Sequence, residues 1–192
     1  MKKFQNKYRI PSARAPWWDY NNNGAYFITI CAAGGKCLFG KINADEIILS
    51  ETGVIVQQEW EKSFEIRAEL FCDAFVIMPN HIHAIVQIKN NQNDHAPKTP
   101  DNTDAYHSSA AATPADTPGV SHRAPKSLSS FIAGFKSSAT KQINEWRRAP
   151  KTPVWQSRFH DHIIRNDDDY AHIKHYIETN PSNWKTDTFF SA

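Results

Sequence analysis

Residues 76–86 read Val-Ile-Met-Pro-Asn-His-Ile-His-Ala-Ile-Val, with His81 and His83 one residue apart at the start of an apolar run. On a strand, residues i and i+2 point to the same face, so the two imidazoles project side by side. Two imidazoles held that way are half of a divalent-metal site. Taken alone, His-x-His more often marks two polar residues on the wet face of an edge strand. The other half must come from an element that can lie over the same face.

The last helical stretch offers Tyr170, His172, His175, Tyr176 and Asn180. At about 100° per residue, Tyr170, Ile173 and Ile177 fall on one stripe, the expected packing face. His172, Tyr176 and Asn180 repeat at i, i+4, i+8 on a second stripe. Tyr176 and Asn180 are therefore expected to face the histidine pair together, with the amide oxygen of Asn180 as a metal ligand and the phenolate of Tyr176 as a nucleophile. The competing reading is a tyrosine at the edge of an amphipathic core and an asparagine capping the helix before Pro181.

Such a set supports phosphoryl transfer through a covalent intermediate. The tyrosine oxygen attacks a DNA phosphodiester, the 3′-hydroxyl leaves, and the 5′-phosphotyrosine link is open to reversal by a later hydroxyl. A cation neutralises the non-bridging oxygens. Mixed nitrogen and oxygen ligation with a carboxamide suits Mg²⁺ or Mn²⁺.

The totals are compatible with that chemistry. A chain of 192 residues, 40% hydrophobic and 22% charged, makes one domain with extensions. Net charge is only +2, but residues 1–18 carry Lys2, Lys3, Lys7, Arg9 and Arg14 with no acid, beside Trp17 and Trp18. Basic side chains interleaved with aromatics suit a phosphate backbone with stackable bases. Lys7, Arg9, Arg14, Trp17, Trp18, Lys136, Lys141, Arg158 and Arg165 form the candidate DNA-binding set. Cys31, Cys37 and Cys72 are an odd number without Cys-x-x-Cys, which points to reduced thiols in a cytoplasm. No apolar run approaches the roughly 20 residues of a membrane span. The charged N-terminus lacks the apolar core of a signal peptide.

In chain order, residues 1–23 form a basic N-terminal extension. A domain over 24–184 follows, interrupted at 90–126, and 185–192 form a tail. Residues 25–31 read as a central strand, apolar on both faces apart from Thr29. A short hairpin is appended to it. A helix over 52–66 carries Val56, Trp60 and Phe64 at i+4 spacing. Strands over 71–78 and 81–88 meet at Pro79-Asn80. The second alternates, with His81, His83, Ile85 and Gln87 on the face expected to be open. Residues 90–126 are rich in Asn, Asp, Ser, Thr, Ala and Pro and read as a flexible low-complexity insertion. From Ser127, the positions Leu128, Phe131, Ile132, Phe135, Ala139 and Ile143 form one helical stripe. Residues 154–165 read as the fourth strand, and Asn166 caps the last helix. The order β-α-β-β-α-β-α predicts an α+β ferredoxin-like sandwich, a four-stranded antiparallel sheet with helices on one face and a C-terminal tyrosine-bearing helix.

These stretches resemble a known family. Val-Ile-Met-Pro-Asn-His-Ile-His over 76–83 is similar to the His-hydrophobe-His signature of IS200/IS605-like single-tyrosine transposases, and more closely to that of the REP-associated tyrosine transposases. Three further stretches carry the likeness: 25–31 with Cys-Leu-Phe-Gly at 37–40; Gly-Phe-Lys-Ser-Ser-Ala-Thr-Lys at 134–141; and Val-Trp-Gln at 154–156 with 160–166 and 176–181. The resemblance covers roughly residues 20–89 and 127–184 and leaves the insertion outside. It implies a metal-dependent HUH endonuclease that cleaves and rejoins single-stranded DNA near hairpins or palindromes. Carried over by position, His81 and His83 become metal ligands, Tyr176 the nucleophile, and Asn180 the amide ligand. Tyr170 ranks second as nucleophile. Some relatives carry tyrosine where this chain has Phe159 and His160, which removes two competitors. His162 is a further candidate, as a ligand, a phosphate contact or a structural histidine. The implied oligomeric state is monomer or homodimer, without a membrane. The alternative readings are a domesticated hairpin-DNA-binding protein with little or no transposition activity, and a small metal-binding module without nucleic acid.

Overall fold

The computed structural model describes residues 3–4, 7–8, 23–89 and 125–190. Lys3–Phe4 (β1) and Lys7–Tyr8 (β2) form a short antiparallel ladder. Then come β3 (Gly24–Cys31), a hairpin of β4 (Gly40–Asn43) and β5 (Glu46–Leu49), α1 (Glu51–Ile66), β6 (Leu70–Ile77), β7 (His81–Ile88), α2 (Leu128–Trp146), β8 (His160–Ile164) and α3 (Asp167–Thr179). Arg9, Arg14, Trp17, Trp18 and the insertion up to residue 124 lie outside the described residues.

The main sheet has the order β6-β7-β3-β8, with every pairing antiparallel. This is the ferredoxin-like sandwich expected from the element order. The strand with the most continuous apolar pattern, β3, sits between two neighbours, as burial of both its faces requires. Tyr26, Ile28 and Ile30 of β3 and Ile82, Ala84, Val86 and Ile88 of β7 point into the core beneath α1 and α2. The six positions of the α2 stripe are all buried there. Trp60 of α1 is the centre of this layer. It stacks on Phe75 at 4.6 Å between ring centroids and meets Phe131 and Phe135 at 5.3 and 5.1 Å.

The helices begin where their side chains supply caps. Ser50, Ser127 and Asn166 accept from the backbone N–H of Gly53, Ser130 and Asp169, respectively. Each such cap contributes about 1 kcal/mol. The start of α1 also docks on the loop before β4. The Ser50 hydroxyl donates to the Leu38 carbonyl at 2.7 Å, and a Cβ on Gly53 would lie 2.0 Å from the Phe39 carbonyl oxygen, so only glycine permits this approach. Phe39 N–H in turn donates to the Pro79 carbonyl at 2.9 Å. A helix start thereby braces the turn that launches the His81–His83 strand.

Two expectations need correction. The fourth strand is limited to β8, shorter than 154–165. Trp155 is buried and makes only an isolated bridge to Ala32, while the backbone at 156–158 is held by a lysine described below. The face carrying the histidines is also more enclosed than the expected helix alone would make it. α3 lies across it, with Ile177, Tyr170, Ile173 and Tyr176 packed on Ala74, Ile85 and Phe27. The chain after α3 covers the remainder.

Candidate metal and tyrosine site

The site begins at the turn before β7. Met78 N–H donates to the His81 carbonyl at 2.8 Å, closing a tight hairpin through Pro79 and Asn80. His81 and His83 then emerge on one face with their rings 4.4 Å apart. Both are fully buried. Each has a fixed Nδ1. Thr29, directly across the ladder, places its hydroxyl 2.8 Å from His83 Nδ1, and Asn80 places Oδ1 2.8 Å from His81 Nδ1. The Nε2 atoms are thereby turned toward the space under α3.

α3 brings Tyr176 and Asn180 to that space. The Tyr176 hydroxyl lies 3.2 Å from His83 Nε2 and donates to Asp187 Oδ2 at 3.2 Å. Asn180 is the helix C-cap, as one reading of it held, and its Nδ2 donates to the same Asp187 oxygen at 2.8 Å. The other Asp187 oxygen accepts from Phe189 N–H at 2.6 Å. The Phe189 ring closes over His81 and His83 at 4.7 and 6.0 Å, with Trp184 at 6.1 Å from His81.

Electrostatics follow from this enclosure. Burial pushes His83 down to about 3, helped by its neighbour His81, and burial likewise holds His81 well below the ordinary histidine value. Both are neutral, the form that binds metals. Burial opposes ionisation of Asp187. Hydrogen bonds from Phe189 N–H and Asn180, with the histidines beside it, nonetheless hold its carboxyl below the usual range. Burial, then the Asp187 charge, pushes the Tyr176 phenol up to about 12.

The residues fit a cation. Ligand atoms of His81, His83 and Asp187 all lie within 4.8 Å of one another. Donors about 2.0–2.4 Å from a common ion meet that condition. Among the described residues, four buried side-chain polar atoms have no hydrogen-bond partner, and two of them, His81 Nε2 and Asn180 Oδ1, belong to this cluster. A buried lone pair without a partner is costly, and a cation would satisfy it.

A pH effect follows. In the metal-free protein the folded histidines titrate below the ordinary value near 6.5, so the unfolded chain binds more protons between that value and about 3. The stability contributed by the neutral pair is present above pH 6.5 and is lost as pH falls toward 3. Urea unfolding at stepped pH should show a decline on the order of a few kcal/mol, with a shallower slope in His83→Gln. Equal slopes would mean that the histidine is not held neutral.

The structure separates the other candidates. Tyr170 accepts from Gln87 Nε2 at 3.1 Å. Gln87 lies four residues beyond His83 on β7, about 13 Å along the strand. His172 is exposed, so the expected stripe of His172, Tyr176 and Asn180 is broken. Its physical cause is the wide packing face of α3, which includes Tyr176 at its margin and leaves His172 in water. His162 lies opposite Phe27 on the edge strand and pairs with Asp169 at 2.9 Å, outside the cluster. Lys136 commits its ammonium to the carbonyls of Gln156, Ser157 and Arg158 at 2.5, 3.4 and 3.4 Å. Lys141 is exposed on α2, on the opposite side of the sheet from the histidines, while Arg158 and Arg165 are exposed on either side of β8.

Sequence reasoning missed Asp187, assigned to the tail, along with Asn80 and Phe189. Thr29 carried a signal, as the single polar residue in an apolar strand. Asp187 carried none, since it belongs to no periodic segment.

An uncharacterized protein of Haemophilus influenzae is 33% identical over 185 residues, spanning 93% of this chain and 92% of that protein. The chain belongs to one family with it. No family model matches the chain. The structure of a REP-associated tyrosine transposase bound to a REP hairpin is similar with a TM-score of 0.55 and 19% identity, covering 91% of this chain and 74% of that one. The likeness to REP-associated tyrosine transposases read from the motifs is thus matched at the level of the fold. Among the described residues, no helix is long and apolar enough to cross a membrane.

Proposed function

We propose that the protein is a metal-dependent single-stranded DNA endonuclease and strand transferase of the REP-associated tyrosine transposase kind, with Tyr176 as nucleophile. The observation that carries this reading is the Tyr176 hydroxyl 3.2 Å from His83 Nε2, inside a cluster of two neutral imidazoles and one carboxylate. His81, His83 and Asp187 hold a divalent ion, Mg²⁺ or Mn²⁺, with Asn180 Oδ1 as a further donor. The bound ion supplies charge neutralisation to the phosphate oxygens.

The chain's own residues supply the rest. Asn180 Nδ2 and Phe189 N–H orient the Asp187 carboxylate. Asp187 Oδ2 already accepts the Tyr176 hydroxyl and takes its proton as the phenolic oxygen bonds to phosphorus. The P–O3′ bond breaks, O3′ leaves with the bonding pair and takes a proton from water to become the 3′-hydroxyl, and a 5′-phosphotyrosine remains. The DNA partner proposed is a single strand flanked by a hairpin; the structural relative is bound to a REP hairpin.

Labelled hairpin-flanked single-stranded DNA with Mn²⁺ or Mg²⁺ tests the proposal. The expected product is a covalent protein–DNA adduct that survives SDS and is absent with EDTA. His81→Ala should lose the adduct while retaining much of the hairpin affinity, because phosphate contacts dominate binding. Hairpin binding without cleavage in either metal would leave the DNA-binding alternative in place of the enzyme.

A further inference from the structure

The buried Asn80 amide has neighbours whose chemistry fixes its orientation. Its Nδ2 donates to the Gly35 carbonyl at 3.2 Å and to the Phe189 carbonyl at 2.7 Å. Carbonyl oxygens only accept, so the NH₂ group must face them. Oδ1 must then face His81 Nδ1, 2.8 Å away. An amide oxygen also only accepts, so the proton of the neutral imidazole is on Nδ1. The consequence is a bare Nε2 lone pair, and His81 Nε2 is indeed one of the buried atoms with no hydrogen-bond partner.

We infer that Asn80 is a positioning residue for the metal centre: two backbone carbonyls orient its amide, and the amide holds His81 in the Nδ1–H tautomer that presents Nε2 to a cation. The inference rests on the metal reading above and deepens it. Groups of this kind set the tautomer, ring angle and basicity of a ligating histidine, and their loss weakens metal binding about 10- to 100-fold. Thr29 cannot do the same for His83, because a hydroxyl can either donate or accept. The two anchors come from separate parts of the chain, Gly35 just after β3 and Phe189 after α3, so the amide does not depend on one segment alone for its orientation.

The test has a readout independent of catalysis. Long-range ¹H–¹⁵N spectra of the metal-free full chain at neutral pH should show His81 protonated on Nδ1. Mn²⁺ affinity, followed by loss of the free-ion EPR signal, should fall about 10- to 100-fold in Asn80→Ala, and the His81 signals should move toward the mixed pattern of a free imidazole. A variant ending at Thr188 retains Asp187 and should keep the Nδ1–H pattern. Nε2 protonation of His81 in the wild type would overturn the inference without any variant having to fold. So would unchanged Mn²⁺ affinity in a folded Asn80→Ala, or failure of the wild type to bind Mn²⁺. Absence of DNA cleavage alongside the expected tautomer and affinity loss would sink the transposase reading and leave this one standing.

Discussion

Tyr176→Phe is expected to eliminate the SDS-resistant DNA adduct, by at least about 10³-fold, as removal of a nucleophile does, whereas Tyr170→Phe is expected to retain it. The substitution removes one oxygen. The ring stays packed edge-on to Phe27 at 6.1 Å and to His83 at 5.3 Å, and Asp187 keeps its bonds from Asn180 and Phe189. The stability cost is therefore that of one partly buried hydrogen bond, about 1 kcal/mol, and loss of activity cannot be ascribed to unfolding. Tyr170 bonds to Gln87 at the far end of β7, so its hydroxyl serves packing of α3 on the sheet. Gel-resolved adduct formation with both variants decides the assignment. An adduct that survives Tyr176→Phe removes this tyrosine from the mechanism.

Asp187→Asn should produce a loss of similar size by a different route. The carboxylate is the negative ligand of the cluster and the acceptor of the Tyr176 proton. The amide preserves shape but carries no charge and has only one accepting oxygen. It must satisfy Phe189 N–H on one side and Asn180 Nδ2 on the other, so one donor loses its partner. Mn²⁺ affinity should fall by about 10²-fold or more, since a charged ligand is lost, and cleavage should become undetectable. The Tyr176 phenol should titrate lower, because the charge that helps push it up is gone. EPR titration and ultraviolet titration of the phenol read the two effects separately. Wild-type metal affinity in Asp187→Asn would place the third ligand elsewhere, with Asn180 Oδ1 as the next donor.

The two substitutions differ in how legible their targets are. Tyr176 stands on a helix whose cap, acidic first turn and apolar spacing are all local. Its proximity to Asn180 follows from 3.6 residues per turn alone. The pairing of His81 with His83 follows from the period of a strand. The α2 stripe and the place of β3 at the centre of the sheet are legible for the same reason: burial selects apolar side chains at the period of the backbone that carries them. Asp187 obeys no period. It is defined by contacts with Tyr176 and Asn180 across a turn of chain after α3, and by histidines about a hundred residues earlier.

The sequence by itself therefore determined the elements, the sandwich and the two halves of the site, because those depend on short-range repetition and steric preference. Only the tertiary structure decided which residues meet. It closed residues 184–190 over the histidine face beside α3, because Trp184 and Phe189 have apolar surface that packs there. It parted Tyr170 from Tyr176, because one helix crossing a sheet places positions six residues apart over different ends of a strand. It added the Asp187 carboxylate and the Asn80 amide, whose partner Phe189 is 109 residues away. Such contacts are set by how packed elements close on one another, and the identity of a buried polar partner is fixed only when that closure leaves its donor or acceptor no water to turn to.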